Sequence, residues 1–542
     1  MLLLLLYVHL PVLYIGLDMM KNILIAGGGF SGLYSAIKLS EEGHEVTLIE
    51  ASPDRWGGRM ETSVMDGFIL EWGPMRFETQ LQPKFGQLIK DLGIELLPFT
   101  GPKAYPSRYP QYDLPLQEQN LDSLELLRRG VLLIMGKKIN DPLDFGCQKW
   151  IDSLTEDDYR AIRKEATLNG KPLWKIGFWN ALVEGNVLSH QALMKIRDTG
   201  TFYHMIPDNL NAIEWTIWWL RAFRTDGQIL ATIKKGTEEI TIQMLNVLKS
   251  RSNVTLVNDA KIQSFIAEGE KISVNYTIGN KNNKAIVDHL VLAMPQHPLK
   301  KLENSLPGAI QEDLDAVNGF SMTKVFFVLD KPWWGHNQAP QSRANRMPTR
   351  EVHYFRRAEG QDEDGHGMVL LYTDKPATEF WNYYIENKKT HDRAEVDNND
   401  EIKVQFANFF SKEIYRSIQG NDFSSKEGLS LTQEAIALYH DMSLEEIKED
   451  IFAAVISYGI RDWSCTPYGA GNHCWRPGIK SWEVQENFKA FSLNDGLKNV
   501  HIVGEAYSDY TGFIEGAINS SDWALEAIAE SVNKNEALEM MA

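Results

Sequence analysis

Ile23-Leu24-Ile25-Ala26-Gly27-Gly28-Gly29-Phe30-Ser31-Gly32 is an apolar run ending in closely spaced glycines, and Glu50 closes the next apolar run, 18 residues after Gly32. The first run predicts a β-strand, and Gly27, Gly29 and Gly32 predict a tight turn into a helix. The first glycine permits the turn and the second lets backbone approach a pyrophosphate. The third lets the helix over 33–42 pack closely on the strand. That helix aims the positive end of its dipole at the phosphates. Gly43 is a natural helix stop, and Glu45 to Ile49 predicts a second strand. Glu50 then stands where a carboxylate can bind ribose hydroxyls. The pattern indicates a bound dinucleotide and does not by itself separate NAD from FAD.

The residues that separate them lie downstream. Trp56-Gly57-Gly58-Arg59 is followed by Glu71-Trp72-Gly73-Pro74-Met75-Arg76. Near the C-terminus stand Val503-Gly504-Glu505-Ala506 and Tyr510-Thr511-Gly512-Phe513-Ile514-Glu515-Gly516-Ala517. In these three blocks the chain resembles the flavin amine oxidase superfamily, and within it the L-amino acid oxidases and L-tryptophan oxidases. The resemblance runs from residue 22 to about 530 and is weakest between 120 and 230. It implies an α/β fold: an FAD-binding Rossmann-like domain of the glutathione reductase type, an α+β substrate domain and a helical subdomain. The FAD domain is expected to be discontinuous, built from 22–77, 229–298 and 463–530. The substrate domain is expected from 78–118 and 299–462, and the helical subdomain from 119–228.

Local pattern supports parts of that plan. Glu238 to Leu248 is helix-like, and Val254 to Val257, Ile272 to Tyr276, the run from Leu290 to Pro295 and His501-Ile-Val-Gly are strand-like. Lys324 to Leu329 and Val369 to Tyr372 alternate as strands of an antiparallel sheet. Trp215, Trp218 and Trp219 recur at helical spacing and read as core. Residues 387–402 are polar and charged and read as a solvated surface loop.

Composition narrows the class. A chain of 542 residues predicts two or three units at roughly 100–200 residues each. Apolar residues at 43% and charged ones at 24% suit a globular enzyme. With 55 basic against 73 acidic residues the net charge is −18, and no Lys/Arg run tracks a phosphate backbone, so nucleic acid is excluded as a partner. Cys147, Cys465 and Cys474 form neither a disulfide framework nor a zinc spacing. None lies in the C-terminal flavin block, so non-covalent FAD is expected. Residues 1–19 form an apolar extension without the basic start or small-residue cleavage site of a signal peptide. The stretch is short of the roughly 20 apolar residues of a membrane span and contains His9 and Pro11. A cytoplasmic enzyme without membrane insertion is expected, with a signal or anchor as the alternative, and a homodimer is expected.

The resemblance also assigns roles. Arg76 is expected to grip an α-carboxylate through two parallel hydrogen bonds, a bond pattern natural to a guanidinium. The alternative is a structural arginine paired with an acid such as Glu71. Tyr372 is expected as a second carboxylate donor, with Tyr354 as a weaker rival. Lys324, followed by Lys331-Pro332-Trp333-Trp334, resembles the lysine that holds a water at the flavin and assists oxygen. Phe513 and Trp463 are expected as aromatic walls, with Tyr468 near them. His473 stands open between substrate contact and satisfied core residue.

For FAD the resemblance implies Gly27, Gly29, Phe30, Ser31, Gly32, Glu50, Ala51, Arg59, Gly73, Pro74, Met75 and Arg76. It also implies Lys261, through its backbone, and Glu505, Gly512, Phe513, Ile514 and Ala517. The loop from Glu50 to Gly57 is one residue longer than in typical members, so Arg59 is preferred to Ser52 or Arg55 as a phosphate contact.

The expected reaction is FAD-dependent oxidative deamination of a small-molecule L-amino acid, with molecular oxygen as acceptor. Hydride would pass from Cα to flavin N5, giving the 2-oxo acid, ammonia and hydrogen peroxide. Amino acid 2-monooxygenase, amine or polyamine oxidase, and a non-catalytic FAD-binding scaffold are the alternatives. Pro332-Trp333-Trp334, Tyr372-Thr373-Asp374 and the cysteine of His473-Cys474 point weakly to a large or aromatic substrate.

Overall fold

The computed structural model describes residues 20–539 apart from 102, 105–111, 140–144, 185–186, 201–207, 226–229, 343–347, 358–363, 376, 386–394, 397–399 and 421–428. The apolar extension over 1–19 lies outside the described residues.

Strand β1 (Asn22–Ala26) turns at Gly27 into helix α1 (Phe30–Glu41), which returns to strand β2 (Glu45–Ile49). The two strands are parallel, in register from Asn22 opposite Glu45 to Ala26 opposite Ile49. Strands β3 (Val254–Val257), β4 (His289–Leu292) and β5 (Val500–Ile502) complete a parallel sheet of order β3-β2-β1-β4-β5. This is the expected Rossmann-like arrangement, assembled from separated pieces of chain. Helix α1 begins at Phe30 rather than Leu33, because the Leu33 amide already bonds the Gly29 carbonyl at 3.0 Å. It packs against the helices Glu238–Lys249 and Ile514–Glu539. An antiparallel meander (Ala260–Glu268, Lys271–Ile278, Lys281–Val287) leads back into the sheet at β4.

The second sheet has seven strands in the order Glu395–Val396, Val455–Asp462, Thr323–Leu329, Gly367–Thr373, Glu351–Arg356, Gln341–Ser342 and Lys103–Ala104. Only the last pair is parallel. Alternation decides its two faces. Val325, Phe327, Val369 and Leu371 pack on Trp333, Trp381 and the helix Asp400–Gln419. Phe326, Val328 and Leu370 pack on Met65, Phe68, Leu70 and Trp72 of the Thr62–Met65/Phe68–Glu71 hairpin. A helical unit built around Ser123–Ile134 and Ala212–Ala222 has its own core.

Three expectations need correction. Helix Pro83–Asp91, expected in the substrate lobe, buries Phe85 and Ile89 in the nucleotide-lobe core, and its Lys84 and Phe85 amides donate to the Glu515 carboxylate at 3.1 and 2.9 Å. Leu299, Leu302, Ile310 and Leu314, expected in the same lobe, pack beneath the antiparallel meander. The polar stretch 387–402 is not one loop. Glu395–Val396 pairs with the sheet, Asp400 opens a helix, and 387–394 and 397–399 lie outside the described residues. Among the described residues no helix is long and apolar enough to cross a membrane.

One buried pair has a consequence for stability. His289 Nδ1 lies 3.1 Å from His501 Nε2, and His501 Nδ1 lies 2.7 Å from the Lys489 carbonyl oxygen. Burial, with mutual repulsion, pushes His289 down to about 2, and burial pushes His501 down to about 4. Both imidazoles are therefore neutral when folded, and the unfolded chain takes up protons first as pH falls below about 6.5. Stability is complete above that pH and declines below it, by about 2 kcal/mol per imidazole at pH 5. Urea unfolding between pH 7.5 and 5 should show this slope, flattened in His289→Gln; an equal slope in both proteins would contradict the assignment.

Candidate active site

The nucleotide turn is shaped by the absence of side chains. Gly27 has φ 117°, and a Cβ there would lie 2.3 Å from the Ala293 carbonyl oxygen. A Cβ on Gly32 would lie 1.9 Å from the Gly27 carbonyl oxygen, so α1 sits against its own incoming strand only because Gly32 has none. No side chain caps α1, whose first turn opens on a cavity at Gly29, Phe30 and Ser31. An uncapped helix start in a cavity wall offers backbone N–H donors and the positive dipole end to an anion. At the end of β2 the Glu50 carboxylate accepts from the Gly28 and Ser52 amides at 2.7 and 2.8 Å, and burial pushes it up. These features fit the pyrophosphate and ribose of a dinucleotide.

The cavity has a volume of about 600 Å³ and runs from this turn to the second sheet. The residues singled out for FAD or substrate reach its wall except Gly32, which lies beneath the turn, and the two left open as substrate contacts, Tyr354 and His473. Arg59 lines it, while Arg55 turns its guanidinium to the Met60 and Gly58 carbonyls and the Tyr468 hydroxyl. Arg59 Nη1 donates to Glu505 and to the Gly471 carbonyl, both at 2.7 Å. The same Glu505 carboxylate meets His473 Nδ1 at 2.7 Å and the Gly512 amide at 2.9 Å. Burial opposes its charge, but Arg59, His473 and Gly512 outweigh burial and bring it down to about 2. His473 is thus a buried partner of Glu505 and not a cavity residue; the cavity is lined instead by its neighbours Asn472 and Cys474. Burial pushes the Cys474 thiol up, which disfavours its thiolate.

At the inner end, Lys324 Nζ donates to the Glu71 carbonyl at 2.7 Å and to the Gly73 carbonyl. Burial pushes this ammonium down, opposed by Glu71, whose own carboxyl burial pushes up. The ammonium lies 5.1 Å from the Tyr372 ring centre, and the Tyr372 hydroxyl faces Met322 Sδ at 3.7 Å. Tyr354 packs on the opposite face of the sheet, with Trp334, and does not line the cavity. Trp463 donates its indole N–H to the Trp72 carbonyl at 2.8 Å.

Arg76 lines the cavity, and its Nη1 donates to Glu351 at 2.8 Å. Its acidic partner is therefore Glu351 rather than Glu71, whose carboxylate is taken by Thr237 and Thr62. Burial works against the Glu351 charge, yet Arg76 and His353 hold it down at about 2.

Sequence reading missed part of the aromatic wall. Trp215 and Trp219 are core residues, as their helical spacing suggested, but Trp215 and Trp218 also face the cavity. Trp215 stacks on Trp218 at 4.7 Å, Trp218 lies 6.2 Å from Phe513, and Phe513 stacks on Tyr510 at 4.6 Å. Thr511, from the C-terminal block, completes that end with Phe320 and Met322.

Comparison with known proteins follows the same lines. The sequence profile of the family described as flavin containing amine oxidoreductase matches residues 30–395. Aplysianin-A of Aplysia kurodai is 23% identical, covering 94% of this chain and 90% of its own. An L-amino-acid oxidase of Sistrurus catenatus edwardsii is 23% identical over 92% of this chain and 85% of its own. An L-amino acid oxidase of Cerastes cerastes is 24% identical over the same shares, 92% and 85%. Among solved structures, a putrescine oxidase bound to putrescine superposes with a TM-score of 0.61 at 16% identity, covering 94% of this chain and 99% of its own.

Gly32→Ala forces a methyl into the Gly27 carbonyl, so the variant should purify without flavin or fail to fold. The ratio of visible flavin absorbance to protein absorbance measures this; the parental ratio in a folded variant would contradict the packing role.

Proposed function

We propose that this chain, which belongs to the family of flavin-containing amine oxidoreductases, oxidises an L-α-amino acid to its imino acid, which water hydrolyses to the 2-oxo acid and ammonia. The cofactor is FAD, and in this reading it is held without a covalent bond. Glu50 would hold the adenosine ribose, the first turn of α1 the pyrophosphate, and Arg59 with Glu505 and the Gly512-to-Ala517 turn the remainder. Bound FAD supplies a two-electron acceptor for the substrate's Cα–H and passes the electrons to molecular oxygen, which leaves as hydrogen peroxide.

The observation that carries the reading is Arg76 at the inner cavity wall, in the same pocket as Lys324, Tyr372 and the aromatic side chains. A guanidinium there can orient a carboxylate through directed hydrogen bonds. Tyr372 adds a phenol donor. Two fixed contacts on the carboxylate set the direction of Cα–H, and alignment of this kind supplies much of the rate. With the amine neutral, no side-chain base is required. Trp215, Trp218 and Phe513 keep water from the reacting carbon and receive the substrate side chain. Lys324 stabilises the negative charge that develops when oxygen is reduced. The L-amino-acid oxidases among its relatives support the choice of substrate class.

One observation favours a second reading. The Arg76 charge is already balanced by Glu351 at 2.8 Å, an arrangement that an amine lacking a carboxylate would leave undisturbed. Anaerobic mixing with L-amino acids, each beside its decarboxylated amine, decides between the two. Bleaching of the flavin by acids and not by their amines supports amino acid oxidation; bleaching by amines alone overturns it. Arg76→Ala should raise KM by about 100-fold, for loss of an oriented, charge-assisted contact. An unchanged KM would remove Arg76 from substrate binding. Lys324→Met should slow reoxidation of the reduced enzyme by oxygen roughly 100-fold while sparing the reductive half-reaction. Stopped-flow measurement of each half-reaction separates the two effects, and equal slowing of both would contradict the assigned role.

A further inference from the structure

Strand register in the seven-stranded sheet lines up four polar residues on one rung. Glu351 faces Tyr372, Tyr372 faces Lys324, and Lys324 faces Arg461. Facing residues on antiparallel strands project to the same side of a sheet. Here that side is the one packed on Trp72 and Met75, since Phe326 and Leu370, two positions along from Lys324 and Tyr372, belong to that cluster. Tyr372 and Lys324 reach the cavity. Glu351 does not; it is fully buried behind the wall, where its Oε1 meets Arg76 Nη1 at 2.8 Å and His353 Nε2 at 2.5 Å.

We propose that Glu351 is a positioning residue for the substrate carboxylate: it fixes the Arg76 guanidinium beside the Tyr372 rung, so that arginine and tyrosine address one carboxylate. The inference rests on the amino acid reading above. Arg76 arrives on the loop after Gly73, from the other lobe, and its long side chain has no rung of its own. A carboxylate borne on a central strand and shielded from water is a rigid post for it. Because Glu351 stands opposite Tyr372, the sheet's register fixes the spacing between the two donors. His353, two residues along the same strand and therefore on the same face, holds Glu351 in turn. The charged groups facing this post are Arg76, His353, Lys324 and Asp374, and Glu78 also faces the Arg76 charge.

The test uses flavin-loaded enzyme and benzoate, a carboxylate without an amine, followed through its perturbation of the flavin spectrum. The parent should bind benzoate. Glu351→Gln should weaken benzoate and raise KM for the preferred L-amino acid together, each by at least about tenfold, with a much smaller fall in kcat. Glu351→Asp, which keeps the charge but withdraws it by one methylene, should lie between the two, and it carries the test alone if Glu351→Gln does not fold. Unchanged benzoate affinity and KM in either folded variant, with only the melting temperature lowered, would make Glu351 a structural residue and overturn the proposal. A parent that binds no benzoate and is bleached only by amines fails earlier: it overturns the amino acid reading itself, and the positioning role with it.

Discussion

Three consecutive backbone carbonyls tie the two lobes together. Lys324 takes the oxygens of Glu71 and Gly73, and the Trp463 indole takes that of Trp72 between them. Lys324 lies on the strand Thr323–Leu329 and Trp463 directly follows its neighbour Val455–Asp462, and all three acceptors lie at the end of the hairpin that leads to Arg76. From below, the same segment stacks on Arg59, where a Cβ on Gly73 would lie 1.8 Å from the Arg59 carbonyl oxygen. Buried backbone carbonyls must find donors, and here the donors are the side chains of Lys324 and Trp463. The position of Pro74, Met75 and Arg76 follows from that clamp. So does the meeting of the nucleotide end of the cavity with its aromatic end.

Charge is compensated at the cavity wall and in the buried layer behind it. Arg76 pairs with Glu351, Arg350 with Asp374 at 2.5 Å, Arg59 with Glu505 and Arg461 with Glu61 at 3.0 Å. Removing such charges from water costs about as much as their attraction returns, so pairs of this kind say little about stability. Their effect is positional. Each pair joins two different segments of chain and holds a long side chain in one orientation, which a surface of freely moving lysines could not do.

Several errors of sequence reading have one cause. Pro83–Asp91 has an unremarkable amphipathic pattern; that its apolar side meets the C-terminal helix rather than the large sheet is settled by residues more than 400 positions away. Tyr354 and Tyr372 both sit in alternating strands, and either suits a cavity. Register puts them on opposite faces, because Tyr354 faces Val369, an odd number of positions from Tyr372. His473 is ambiguous in sequence because the carboxylate it meets, Glu505, lies 32 residues farther along the chain. The tryptophans at 215 and 218 sit on a helix whose spacing announces burial, and burial against a cavity has the same spacing as burial against core.

What the sequence determined by itself was the nucleotide cradle: β1, α1, β2, the turn and Glu50. Its constraints are local: the atoms that a Cβ on Gly32 would strike belong to Gly27, five residues earlier, and Glu50 reaches the amide of Gly28. Farther along, it was the resemblance of short motifs to the flavin amine oxidases that pointed to Arg76, Lys324 and Phe513, and all three line the same cavity. Only the tertiary structure decided which groups these residues meet there. Arg76 and Glu351 are separated by 275 residues, and Lys324 and Glu71 by 253. No spacing or periodicity encodes such pairs, because a charge finds its partner through the packing of whole lobes, after the strands and helices that carry it are already set.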